Sequence, residues 1–207
     1  KHLLTCADKP TAWAKKRGVV SAQSWFAPAV WFAAFTGARR GETLAMRWSD
    51  LNLDEAAATI CRSLTQTDDG LAFKAPKNGK PRTITLPATL VEVLRKHQSR
   101  QKAEHAALDD AYHNGGLVFA TADGQPVSPW TFTASFRYLV ERAHVPYIRL
   151  HDLRDTHASL LAKHGVPLEV VSKRLGHSAI GITADRYLHI YRSRDAQAAA
   201  VFEELAS

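Results

Sequence analysis

The chain has 207 residues, 45% of them hydrophobic, enough for one large domain or two small ones, and no apolar run reaches the roughly 18 residues of a membrane span. Two cysteines, Cys6 and Cys61, supply neither a disulfide framework nor a thiolate metal cluster, and no apolar stretch near the start has signal-peptide length, so a cytosolic protein is expected. Lys and Arg outnumber Asp and Glu by 27 to 20, a net charge of +7, and the excess gathers in residues 1–20 and 62–102, which suits contact with a phosphate backbone better than scattered solubilising charge would.

Residues 1–20 read as a linker cut from a longer chain. The stretch "AQSWFAPAVWFAAF" at 22–35 suits a buried helix ending at Gly37, with a short helix from Arg40 to Arg47. "ATICRSL" at 58–64, "LAFK" and "RTITLP" at 82–87 predict strands, separated by turns at "TDDG" and at Asn78-Gly79. In the last strand Ile84 and Leu86 share a face. Together they predict a small three-stranded antiparallel sheet. Helices resume near Ala88, where Leu90, Val91, Val93 and Leu94 form an apolar stripe, and a helix tail and loop follow over 104–116. Ser128-Pro129 starts a helix running to about Ala143. Asp152 to His164 is stopped by Gly165, Leu168 to Leu175 is closed by Gly176, and short helices are expected over 180–188 and 195–206. The fold class is therefore α+β, mostly helical.

Three stretches carry chemistry: "TGARRGE" at 36–42, "HDLR" at 151–154 and "LGHSAIGITADRYLH" at 175–189. His151 and Arg154 lie three apart at a helix start, where free N–H groups and the dipole favour an anion. An arginine fork matches two phosphate oxygens, and an imidazole beside it can donate to the same group or move a proton. In the first stretch, one of Arg39 and Arg40 is expected to turn inward beside Glu42, because a buried guanidinium needs a carboxylate or phosphate, and the other to face solvent. A competing reading takes 159–190 as a helix-turn-helix, with Lys173 and Arg174 facing DNA and no chemistry at all. It leaves Arg39, His151 and Arg154 without a role.

In order and spacing, these motifs and the tyrosine ten residues after His177 resemble the catalytic domain of the tyrosine recombinases, the phage integrase family, over about residues 20–190. The resemblance implies site-specific DNA strand exchange through a 3′-phosphotyrosine. It makes Arg39 and Arg154 the grip on the scissile phosphate, Glu42 their support, and His151 and His177 its histidines. Tyr187 matches the nucleophile. A lysine in the turn before the last strand matches the proton donor; Lys77 fits best, with Lys80 and Lys74 close by. Tyr191, one turn after Tyr187, is the alternative nucleophile, while Tyr112, Tyr138 and Tyr147 have no matching context. Basic side chains expected along the DNA are Arg40, Lys74, Lys80, Arg82, Lys173 and Arg174.

Two guanidiniums and imidazoles can neutralise a phosphodiester as a metal otherwise would, so neither metal nor cofactor is expected; the ten histidines include no H-x₃-H or HExxH pair. A phenol with a pKa near 10 needs a nearby base or positive field, and His151 is the expected proton acceptor. The family pattern further implies an N-terminal core-binding domain preceding residues 1–20, a catalytic domain over 21–193, and a C-terminal helix over 194–207 whose Val201, Phe202 and Leu205 form an apolar face linking protomers. The implied partner is a double-stranded recombination site held in a synapsed tetramer, the isolated domain being monomeric, and the implied setting is a bacterial or phage-encoded protein at the nucleoid. Asp155 stands where the family commonly has histidine. A type IB topoisomerase uses a similar site without synapsis and is the other enzymatic reading.

Overall fold

The computed structural model describes residues 1–9, 24–76, 80–177, 181 and 184. At its centre is helix α2, Phe26–Thr36, apolar on every side; Ala29, Val30 and Phe32 are fully enclosed. It ends because Gly37 adopts the left-handed conformation, φ +66°, and its N–H returns to the Ala33 carbonyl at 3.0 Å. Helix α1, His2–Ala7, packs against α2: Ala7 is buried, the Trp31 indole N–H donates to Asp8 at 3.1 Å, and Arg142 donates to the Lys9 and Cys6 carbonyls. The expected linker is thus a docked helix over this stretch, because its Leu3 and Leu4 find apolar surface to cover.

Helix α3, Arg40–Leu44, stops three residues before the expected Arg47. The chain then runs through β1, Leu51–Asn52, β2, Ala57–Ile60, β3, Ser63–Thr67, β4, Gly70–Lys74, and β5, Arg82–Thr85. The three-stranded antiparallel sheet has the order β1-β2-β5, with Ile60 opposite Arg82, whereas β3 and β4 form a separate two-stranded hairpin. The single strand expected over 58–64 is interrupted at Cys61 and Arg62, whose side chains both turn to Asp50. That bend sends β3 away from the sheet and beside α3.

Helix α4, Ala88–Leu108, is followed by α5, Pro129–Arg142, whose Ser128 cap accepts from the Trp130 N–H at 3.2 Å. Helices α6, Asp152–Lys163, and α7, Leu168–Leu175, close the described fold, α7 ending at Gly176 with φ +67°. The large core side chains, Trp25, Phe32, Phe119, Phe132 and Phe136, join α2, α4 and α5; Trp25 meets Phe132 edge-on at 5.7 Å. A smaller cluster of Ala158, Val171 and Leu175 holds α7 on α6. The helices expected over 180–188 and 195–206 lie outside the described residues. Among the described residues, no helix is long and apolar enough to cross a membrane.

Candidate active site

The turn between α2 and α3 places the first arginine. Arg39 is extended, φ −67° and ψ 155°, and occupies the N-cap of α3. Glu42, three residues on, closes a capping box: one carboxylate oxygen accepts the Arg39 backbone N–H at 2.8 Å, and the other accepts Nη1 of its guanidinium at 2.9 Å. Glu42 is 1% exposed, and a buried carboxylate needs more than one partner. Arg82 supplies it, donating from both ends of its fork at 3.1 and 2.7 Å. Burial pushes the Glu42 carboxyl up, but the Arg82 hydrogen bonds and charge, followed by the Arg39 N–H and guanidinium, hold it below its ordinary value.

Arg82 was expected to contact DNA; instead it is 8% exposed and locked on Glu42, with Nε donating to the Arg174 carbonyl at 2.9 Å. The reason is visible along β5, where Arg82 and Ile84 alternate inward with Thr83 and Thr85 outward. That same alternation assigned Ile84 and Leu86 to one face, so it held the signal for Arg82 as well.

Arg154, on the first turn of α6, is 4% exposed and donates to the Gly37 carbonyl at 2.6 Å and the Leu175 carbonyl at 2.7 Å. Both acceptors sit at helix C-termini, those of α2 and α7, where the dipole favours a cation. His151 is the exposed N-cap of the same helix, three residues before it, and Arg149 and Asp152 bracket it with a salt bridge at 2.8 Å.

The Arg174 side chain likewise departs from its expected DNA contact. It runs inward, donating from Nε to His157 at 3.1 Å and from Nη2 to the Phe35 and Thr85 carbonyls at 3.2 and 3.1 Å. His157 therefore stands inside the network. Because Arg174 must donate, the His157 Nε2 accepts, and its Nδ1–H donates to the Ala34 carbonyl at 3.1 Å. Burial first, then the Arg174 charge, holds His157 down at about 4. The inward Arg174 also weakens the helix-turn-helix reading, which needs that side chain on the outside.

Arg39, Arg40, Ser63, Thr65, Tyr147 and His151 line one open cleft of about 600 Å³. Arg40 is exposed and donates to the Thr133 hydroxyl at 2.8 Å, so of the two adjacent arginines Arg39 faces Glu42 and Arg40 faces out. Arg154 is not among the residues that line this cleft; its guanidinium lies against Gly37. His177 follows the α7 cap, half-buried, its N–H donating to the Ser172 carbonyl at 3.1 Å. Lys74, Lys80 and Lys173 are exposed. Lys77, Tyr187 and Tyr191 lie outside the described residues. Among the described residues, no cluster of three His, Cys, Asp or Glu side chains could hold a metal ion. An arginine-lined cleft with an imidazole at its edge can bind a phosphodiester, draw off its negative charge and exchange protons with it.

A XerC-like tyrosine recombinase of Caldanaerobacter subterraneus subsp. tengcongensis is 31% identical over 191 residues, covering 86% of this chain and 49% of that protein. The ICEBs1 integrase of Bacillus subtilis strain 168 is 26% identical over 174 residues, covering 84% of this chain and 47% of that protein. The chain spans about half the length of the curated relatives it matches. Among solved structures, the Tn1549 transposon integrase in complex with transposon right-end DNA superposes with a TM-score of 0.75 at 18% identity, over 95% of this chain and 63% of that one. The catalytic domain of bacteriophage HP1 integrase gives 0.61 at 21% identity, over 100% and 92%. Mostly helical with a small antiparallel sheet, the fold is that of tyrosine recombinase catalytic domains. The sequence pattern of the phage integrase family matches residues 14–194, and the chain belongs to that family.

Proposed function

We propose that this domain cleaves and rejoins DNA at a specific site through a covalent phosphotyrosine intermediate, the chemistry of site-specific integration or excision. The observation that carries this reading is the joining of Arg39 and Arg154, 115 residues apart in sequence, through Glu42, Arg82 and the end of α7, with His151 at the rim of the same cleft. Two guanidiniums there offset the charge that protects a phosphodiester from nucleophiles.

In the reaction, the Tyr187 hydroxyl oxygen attacks phosphorus while its proton passes to a base, His151 in this reading. The bond to the 5′-oxygen breaks, and that oxygen takes a proton from Lys77, or from Lys80 or Lys74. Attack by a 5′-hydroxyl of a second DNA end reverses the step and conserves the bond without ATP. His177 contributes a further hydrogen bond to the phosphate. The chain's exposed Arg40, Lys74, Lys80 and Lys173 would follow the DNA backbone, and the full protein would work as a tetramer on two synapsed sites. The recombinase and integrase identities of its relatives support DNA as the partner.

Trapping tests the reading. The protein is incubated with a pool of nicked duplexes with randomised arms, denatured in SDS and probed for a protein–DNA adduct, with Tyr187→Phe and Tyr191→Phe run in parallel. An adduct lost only in Tyr187→Phe is expected, and the recovered DNA reports the preferred site. DNA binding without an adduct, also with the N-terminal core-binding domain that the family pattern implies restored, would return the chain to a non-catalytic binder.

A further inference from the structure

Two consecutive carbonyls at the end of α7 serve two buried arginines. The Arg174 carbonyl accepts from Arg82 Nε at 2.9 Å, and the Leu175 carbonyl accepts from Arg154 Nη2 at 2.7 Å. Arg82 grips Glu42, which grips Arg39. The positions of Arg39 and Arg154 are therefore both referred to a single helical turn, whose registration sets how the pair meets a phosphate.

That turn is held in place by its own side chain. Among the described residues, Arg174 meets no carboxylate; a ring nitrogen and two carbonyls take its protons, and they come from α6, α2 and β5. His157 is the one side chain among these acceptors. It lies one turn beyond Arg154 on α6, and its other nitrogen fastens the last turn of α2 at Ala34, just ahead of Gly37, the second anchor of Arg154. Space in this network is tight: a Cβ on Gly37 would stand 2.9 Å from the His157 imidazole, and one on Gly176 would stand 2.7 Å from Arg82 Nη1.

We infer that His157 is a positioning residue for the proposed strand-cleavage site: it pins Arg174, and through it the end of α7, so that Arg39 and Arg154 keep one fixed relation. The imidazole presents an acceptor to Arg174 and a donor to Ala34 and so meets both needs at once. This inference rests on the recombinase reading for its catalytic consequence, but the mechanical coupling from His157 to Arg82 stands apart from it.

The experiment has two arms on the whole chain, using His157→Ala and His157→Gln, the latter keeping one acceptor and one donor. In the first arm, hydrogen exchange at the arginine Nε–H groups is read by NMR in folded protein. His157→Ala should speed exchange at Arg82 as well as at Arg174, although of these two arginines His157 hydrogen-bonds Arg174, and His157→Gln should restore part of the protection. Exchange that changes at Arg174 alone would overturn the coupling. In the second arm, single-turnover cleavage is measured on the trapped duplex with the scissile phosphate as a diester or as a neutral methylphosphonate. His157→Ala should lose roughly tenfold to a hundredfold on the diester, the scale of a misplaced catalytic group, with DNA affinity unchanged. The loss should shrink on the methylphosphonate, which makes less demand on the arginines. Equal losses on both substrates would overturn the positioning role. If the wild type forms no adduct at all, the recombinase reading fails, and the exchange arm still decides the coupling.

Discussion

Buried histidines give this protein a distinctive response to acid. His97, 1% exposed, donates from Nε2 to the Val118 carbonyl at 2.6 Å and stacks on Phe119. Burial, which outweighs that hydrogen bond, lowers it from 6.5 to about 4, and His157 is lowered to about the same value. A group whose folded pKa lies below its unfolded one binds fewer protons in the native state. The stability it contributes is thus lost as pH falls from about 6.5 towards 4, and by pH 5 His97 alone accounts for about 2 kcal/mol. Glu42 titrates lower: its contribution persists above the unfolded carboxyl value of 4.5 and fades only beneath it. Urea denaturation at pH 7 and pH 5 therefore isolates the histidines. His97→Leu should flatten the drop between the two pH values, and an unchanged drop would place the acid sensitivity elsewhere.

Helix ends, more than helix bodies, organise the cleft. The C-terminus of α2 presents three carbonyls, from Ala34, Phe35 and Gly37, to His157, Arg174 and Arg154, and the C-terminus of α7 presents two more. These are the groups a helix leaves without internal partners, so the arginines satisfy them while gaining a favourable dipole. Gly37 is where this arrangement is least forgiving. Its φ of +66° disfavours any side chain, and an added Cβ would meet Leu175 at 2.7 Å. Gly37→Ala should cost about 2–4 kcal/mol in chemical denaturation, the sum of a left-handed alanine and a crowded contact. Gly115→Ala, with its nearest neighbour at 3.4 Å and no positive φ, should stay within about 0.5 kcal/mol of wild type. A similar cost at both positions would remove the special standing of the α2 cap.

At the scale of the whole molecule, a charge of +7 divides into two populations. Arg40, Lys74, Lys80 and Lys173 are exposed, while Arg82, Arg154 and much of Arg174 are spent inside. Only the first population can release counterions from DNA. Lys74→Ala and Lys173→Ala should each lower the slope of log affinity against log salt by about 1, and Arg82→Met should leave that slope unaltered while destabilising the fold. A fall in slope for Arg82→Met would put its guanidinium back on the outside.

The helical boundaries that local chemistry marks were readable from the chain itself. Ser128-Pro129 begins α5, Gly37 ends α2, and Gly176 closes α7 after Leu168–Leu175, as the sequence predicts. The strand over 58–64 was less legible, because its break depends on Asp50 drawing Cys61 and Arg62 aside, a contact that propensity does not encode. Residues 1–9 misled for a related reason: their few leucines become a helix only because α2 offers them a surface.

The sequence by itself determined the fold class, the caps, and the motifs that bring Arg39, His151 and Arg154 forward as a set. Tertiary structure alone decided which arginines serve the outside and which the frame. Adjacent letters such as Arg39 and Arg40, or Lys173 and Arg174, have nearly the same local environment along the chain. Whether a guanidinium is buried depends on carboxylates and carbonyls that arrive from far away, Glu42 meeting Arg82 across 40 residues and Phe35 meeting Arg174 across 139.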